Sequence, residues 1–156
     1  MKKLIACIFI VTLFALVGCG QSSSDLTADE IVQAFQDAGL PVENVQIYNE
    51  ENCPNGLLGR PQKYVGKASW ADVRIEQTEI DDFFEDDPIG GTVEVFTNKK
   101  DLESRQRYLE SISDTYKDTF FELKQYTSVH KNALLRLEYD LTPTQAKEYE
   151  DVLKSL

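Results

Sequence analysis

Few side chains in this sequence have types and spacing that bear on chemistry. The 156 residues include one histidine, His130, and three cysteines, Cys7, Cys19 and Cys53. A serine or cysteine nucleophile of the triad kind needs a histidine as its base, so such a site would have to use His130. No Gly-x-Ser-x-Gly elbow occurs. Nothing in the spacing of Cys53 and His130 supports a thiol–imidazole pair. One spare cysteine and one histidine do not make a normal zinc set. Asp81, Asp82, Glu85, Asp86 and Asp87 offer oxygen ligands for calcium, but without the Asp-x-Asp-x-Asp-Gly spacing that wraps the ion. A calcium site and a solvated acidic loop both stay open there. Paired carboxylates of the glycosidase kind are not singled out, because 27 acidic residues are spread along the whole chain. No metal, cofactor or catalytic residue is therefore expected.

The stretch from Gly56 to Lys67 is the leading candidate for binding. Arg60, Lys63, Tyr64 and Lys67 concentrate there in a strongly acidic chain, and Trp70 follows directly. Arginine, tyrosine and tryptophan dominate interface hot spots. A positive, aromatic loop of this kind could hold an anionic ligand, a wall polymer or a partner protein. The structural alternative has Gly59 and Pro61 fixing a turn, Arg60 pairing with the acidic body, and Tyr64 and Trp70 packing in the core.

The N-terminus carries a different kind of chemistry. Met1-Lys2-Lys3 is a short positive region, and Leu4 to Val17 is a nearly continuous apolar run. That run is shorter than the roughly 20 residues that span a bilayer, and its flanks match a secretory signal. It ends in Leu16-Val17-Gly18-Cys19. This pattern resembles the bacterial lipoprotein signal, the lipobox. The resemblance implies a diacylglyceryl thioether on Cys19, cleavage between Gly18 and Cys19, and Cys19 as the new N-terminus. Cys7 leaves with the signal, so Cys53 is the one spare thiol and no internal disulfide is expected.

Loss of residues 1–18 removes Lys2 and Lys3 and leaves 14 basic against 27 acidic residues, a net charge of −13. Such a body repels nucleic acid and anionic membrane surfaces. The lipid, not surface charge, would hold it to the membrane. Gly20 to Ser24 is a polar tether that reaches roughly 17 Å when extended at about 3.4 Å per residue. The expected organisation is a signal at 1–18, a lipidated tether at 19–25 and one domain at 26–156.

Within that domain the patterning predicts three helices. Thr27 with Glu30 fits a capping box, and Leu26 with Ile31 a hydrophobic staple. Ile31, Ala34, Phe35 and Ala38 then share a face, before Gly39 and Pro41 stop the helix. A second helix starts at Thr97 or Asn98 with a seam of Leu102, Leu109 and Ile112, and Glu103 placed to pair with Arg107. A third starts at Thr142 with Pro143 and Gln145, burying Ala146, Tyr149, Leu153 and Leu156. Strands are expected around Val45 and Ile47, from Trp70 with Val73 and Ile75 inward and Asp72 and Arg74 wet, from Thr92 to Phe96, from Phe120 to Tyr126 and from Ala133 to Tyr139. Ser128 to Asn132 reads as the hairpin turn, and Asn49 to Lys67 as a long loop. The fold class is α+β, a mostly antiparallel sheet of four to five strands with helices on one face. A split β-α-β unit could make one pair of strands parallel.

A second resemblance spans most of residues 27–153. Gly56-Leu57-Leu58-Gly59-Arg60-Pro61, then Tyr64 and Lys67, then Asp72 and Arg74, then Gly91 to Phe96, then Leu141-Thr142-Pro143 with Gln145-Ala146 is similar to a group of small uncharacterised lipoproteins of Gram-positive bacteria. It implies an outward-facing protein on a single membrane and gives no activity. Three function classes follow as expectations. The preferred one is a lipid-anchored binding domain, whose partners are the membrane through Cys19 and an envelope protein or wall polymer. The others are an envelope hydrolase using acidic residues and a structural or envelope-stress lipoprotein.

Overall fold

The first helix begins where its capping residues place it. The Glu30 backbone N–H donates to Thr27 Oγ1 at 3.2 Å, and the Thr27 N–H donates to the Glu30 carboxylate at 2.9 Å, which satisfies two otherwise orphaned donors. Helix α1 runs Ala28–Asp37. It ends in a Schellman motif: Gly39 sits at φ 77°, its N–H reaches Gln36 O, and the Leu40 N–H reaches Phe35 O. Ile31, Val32 and Phe35 are its buried face, while Ala38 is exposed. The computed structural model describes residues 25–53, 55–60, 63–76, 88–117, 119 and 124–156.

Five strands follow: β1 Val42–Tyr48, β2 Gly66–Asp72, β3 Gly90–Val95, β4 Gln125–His130 and β5 Ala133–Glu138. Helix α2, Lys99–Tyr116, joins β3 to β4, and α3, Pro143–Ser155, closes the chain. The strands form one sheet in the order β1-β2-β3-β5-β4, every neighbouring pair antiparallel. The fold is α+β. The crossover through α2 makes β3 and β4 run parallel with β5 between them, so the split β-α-β unit is present without any parallel neighbours.

Helices lie on both faces of this sheet, not on one as expected. On the first face, α1 and α3 pack over Ala68, Trp70, Val93, Val95, Leu135 and Leu137. Phe35, Trp70 and Tyr149 form its aromatic centre, with ring centroids 5.1–5.7 Å apart. Gly91 is opposite Trp70 across β2 and β3, and a Cβ there would stand 2.3 Å from the indole. Only glycine leaves room for the ring. On the second face, Leu102 of α2 packs with Leu134, Phe96, Tyr64, Tyr48 and Cys53.

Covering both faces overturns several readings from alternation. β2 starts four residues earlier than expected, at Gly66, and ends at Asp72, and its residues from Lys67 onward are all buried. Asp72 is fully buried, not wet, and Val73 is exposed in the turn beyond the strand. β1 carries a register shift between Glu43 and Gln46, with Asn44 at φ 47°. That irregularity resets the side-chain phase: Val42 and Tyr48 are inside, while Ile47 is 45% exposed. The hairpin turn is only Lys131 and Asn132, so His130 belongs to β4. Asn132 also clips the entry to α1, accepting from the Leu26 N–H at 2.9 Å and donating to Leu26 O at 3.0 Å. Glu103 pairs with Lys99 in place of Arg107, whose Nε donates to the Glu103 carbonyl. Asn98 is the cap of α2, accepting from the Asp101 N–H, and Thr142 and Gln145 complete the second capping box at α3.

Candidate functional site

The five residues singled out for binding are not brought to one surface. Arg60 is exposed and Lys63 half-buried. Tyr64 and Trp70 are fully buried and Lys67 is 4% exposed. Because β2 already includes Lys67, period-two alternation sends Lys67 to the α2 face and Trp70 to the opposite core. The aromatic members therefore cannot meet a partner from solvent. The Lys67 ammonium stands 4.1 Å from the Tyr48 ring centroid. Arg60 lies over Gly56, whose absent Cβ would meet its Nη2 at 3.3 Å, and no ion pair of Arg60 is found among the described residues.

The loop leading to β2 is held by asparagines. Asn49 Oδ1 accepts from the Glu51 and Asn52 amides at 2.8 and 3.1 Å. Asn55 Oδ1 accepts from the Leu57 amide at 3.1 Å and from the Tyr64 hydroxyl at 2.6 Å. Cys53 Sγ lies 3.2 Å from that hydroxyl. Burial works against ionisation of Cys53. The Tyr64 hydroxyl, the Leu58 and Leu57 amides and the charge of Lys67 outweigh it and hold the thiol below its usual range. His130 does not join it. Cys53 packs in the cluster under α2, whereas His130 pairs with Ala133 of the opposite core, so the sheet separates the two.

Two ionic clusters, neither of them singled out from the sequence, anchor the two faces. At the end of β2, Asp72 accepts from Arg74 Nε at 2.9 Å, from Arg74 Nη2 at 2.7 Å and from the Tyr149 hydroxyl at 2.7 Å. Burial would raise the Asp72 carboxyl, but the Arg74 and Tyr149 hydrogen bonds prevail and lower it. On the other face, Glu94 is fully buried and takes a two-pronged contact from Arg105 at 2.8 and 2.7 Å. Arg136 Nη2 adds a longer contact of 3.2 Å to the same carboxylate. One sequence signal for Arg105 existed. It stands three residues after Leu102 and four before Leu109, on the apolar seam of α2, where an arginine needs a buried partner. Glu94 gave none, since between Val93 and Val95 it reads as a wet position.

Beside the Glu94 cluster a cleft of about 690 Å³ opens between the second half of α2 and the β4–β5 hairpin. Leu109 and Ile112 line it from the helix and Leu134 from the sheet; Arg136 and Thr127 lie on the sheet side, with Glu110 and Asp114 on the helix. A smaller cavity of about 270 Å³ lies on the other face between β4 and α3. The larger one is of ordinary ligand-site size, roughly 300–1,000 Å³, with an apolar strip of Leu109, Ile112, Leu134 and Tyr139 among polar and charged side chains that include Lys124 and Arg136. Arg136 contacts Gln125 Oε1 at 3.4 Å, and its Nε is buried with no acceptor among the described residues. Next to it, burial pushes the Glu138 carboxyl up, opposed by Gln125 and Arg136.

Among the described residues no group of three or more His, Cys, Asp or Glu side chains could hold a metal. The acidic run 81–87, Gly18 and Cys19 lie outside the described residues. No helix among the described residues is long and apolar enough to cross a membrane. No family model matches the chain, and comparison with curated proteins and with solved structures gave no significant match.

Proposed function

We propose that this chain is a lipid-anchored binding protein, held at the outer face of a cell membrane through Cys19 and without a catalytic role. The anchor rests on Lys2-Lys3, the apolar run to Val17 and the Leu16-Val17-Gly18-Cys19 sequence. The Asn132 clip on Leu26 fits a folded body that starts directly after a short tether. The observation that carries the binding role is the cleft between α2 and the β4–β5 hairpin, where an apolar strip of Leu109, Ile112 and Leu134 lies beside Arg136. An envelope protein or a wall component is the class of partner such a location offers, and the acidic body disfavours nucleic acid.

An envelope hydrolase has one observation on its side, the raised carboxyl of Glu138. A second, complementary carboxylate is needed for acid–base work. Asp72 and Glu94 are engaged by arginines instead. The anchor is tested by metabolic labelling with a radioactive fatty acid. Cys19→Ser is expected to abolish labelling and release the protein from the membrane fraction. Persistent labelling of that variant overturns the anchor.

A further inference from the structure

The geometry points to the cleft between α2 and the β4–β5 hairpin as a site for a small organic carboxylate with an apolar body and a single negative charge. This rests on the binding-protein reading and names the ligand class for it. Its first ground is a guanidinium with only long contacts. Two guanidinium groups, Arg105 and Arg136, share one buried carboxylate, Glu94. Arg105 holds it in a fork at 2.7–2.8 Å. Arg136 is left with contacts of 3.2 and 3.4 Å, beyond the 2.7–2.9 Å of a good charge-assisted bond, and with a buried Nε that has no acceptor among the described residues. Arg105 already satisfies Glu94, so the Arg136 guanidinium is only loosely engaged where it lines the cleft, with Lys124 as the second cation there. The Nη groups, held only by these long contacts, can turn to a planar carboxylate, the shape a guanidinium matches.

The second ground is the lining. Leu109, Ile112 and Leu134 offer an apolar surface to the rest of the ligand, and burial there adds roughly 25 cal/mol per Å². The third is the opposite wall. Glu110 and Asp114 line the cleft from α2 and repel any ligand with several negative charges. Repulsion grows with the ligand's charge, so a polyanion is disfavoured more strongly than a singly charged acid seated at Arg136.

Binding is read by amide chemical shifts and by titration calorimetry on the full-length lipoprotein in non-ionic detergent micelles. The probes are 4-methylpentanoate, its neutral analogue 4-methylpentanamide, and citrate. The acid is expected to bind, with shifts centred on Ile112, Thr127 and Leu134, and the amide and citrate to bind at least tenfold more weakly. Arg136→Gln is expected to weaken the acid by roughly 10–100-fold, the effect of a lost charge-assisted contact. Arg136→Lys, which keeps the charge without the fork, should fall between. Circular dichroism checks that both variants fold, and the wild-type shift map stands without them. Equal binding of acid and amide, tighter binding of citrate, shifts centred elsewhere, or no binding of the acid each overturn the proposal. Fatty-acid labelling at Cys19 is read separately, so a failed ligand class and a failed anchor are told apart.

Discussion

The Tyr149 hydroxyl donates to Asp72 Oδ2 at 2.7 Å across 77 residues of sequence. This contact joins the end of β2 to α3, and Arg74 completes it by reaching Asp72 on one side and Glu148 on the other. Burial alone would push the Asp72 carboxyl up, but its partners hold it low. A carboxyl with a folded-state pKa below its unfolded one stabilises fully above the unfolded value, about 3.9, and loses that contribution as the pH falls through the folded value. The urea midpoint should therefore decline on acidification below about pH 4. Asp72→Asn should flatten that decline and cost about 2–3 kcal/mol at pH 7. That is less than the loss of about 3–5 kcal/mol for a fully buried broken pair, because Arg74 is partly exposed and can be resolvated. Urea titrations at several pH values check both.

The two arginines on Glu94 are unequal, and so should be their losses. Glu94→Gln leaves the buried Arg105 and its neighbour Arg136 without a counter-charge and should cost about 3–5 kcal/mol. Arg136→Gln leaves Glu94 its two-pronged partner and should cost only about 1 kcal/mol. Chemical denaturation of the two variants gives the comparison, and equal losses would show that Arg136 is a full structural partner.

Glu138 should behave in the opposite sense to Asp72. Burial raises its carboxyl in the folded state, so its contribution to stability is present at low pH and is lost as the pH rises through the folded pKa. Glu138→Gln is expected to raise the thermal midpoint at pH 7 and to leave it unchanged below about pH 4, near the unfolded value. Melting curves at the two pH values test the sign.

Gly91 is fixed by a neighbour. A Cβ there would lie 2.3 Å from Trp70 and 2.8 Å from Leu137, and overpacking of this kind costs about 1–3 kcal/mol. Gly91→Ala should lower the thermal midpoint and disturb the Trp70 fluorescence, and Gly91→Ala with Leu137→Val should not recover it, since the indole contact is the tighter one.

Helix ends were set locally, and the sequence alone determined them. Thr27 with Glu30, Thr142 with Gln145, and Asn98 cap their helices through contacts only three residues long, so composition and spacing suffice. The α+β class and the separation of strands by turn residues were legible for the same reason. The face of each strand that is buried was not. Alternation reports burial only where one side of a sheet is wet, and α2 closes the side that the alternation of β2 and β3 marks as solvent. That closure takes Lys67 and Glu94 inside, Lys67 over the Tyr48 ring and Glu94 onto Arg105 and Arg136, while Asp72 is buried on the opposite face under Tyr149 of α3. The binding candidates were scattered in the same way, Tyr64 and Lys67 under α2 and Trp70 in the opposite core. The cleft at Arg136 draws on α2, β4 and β5 at once, so no local pattern could announce it. Sheet order and the packing of α2 decided it, because only they set which long-range side chains share a space.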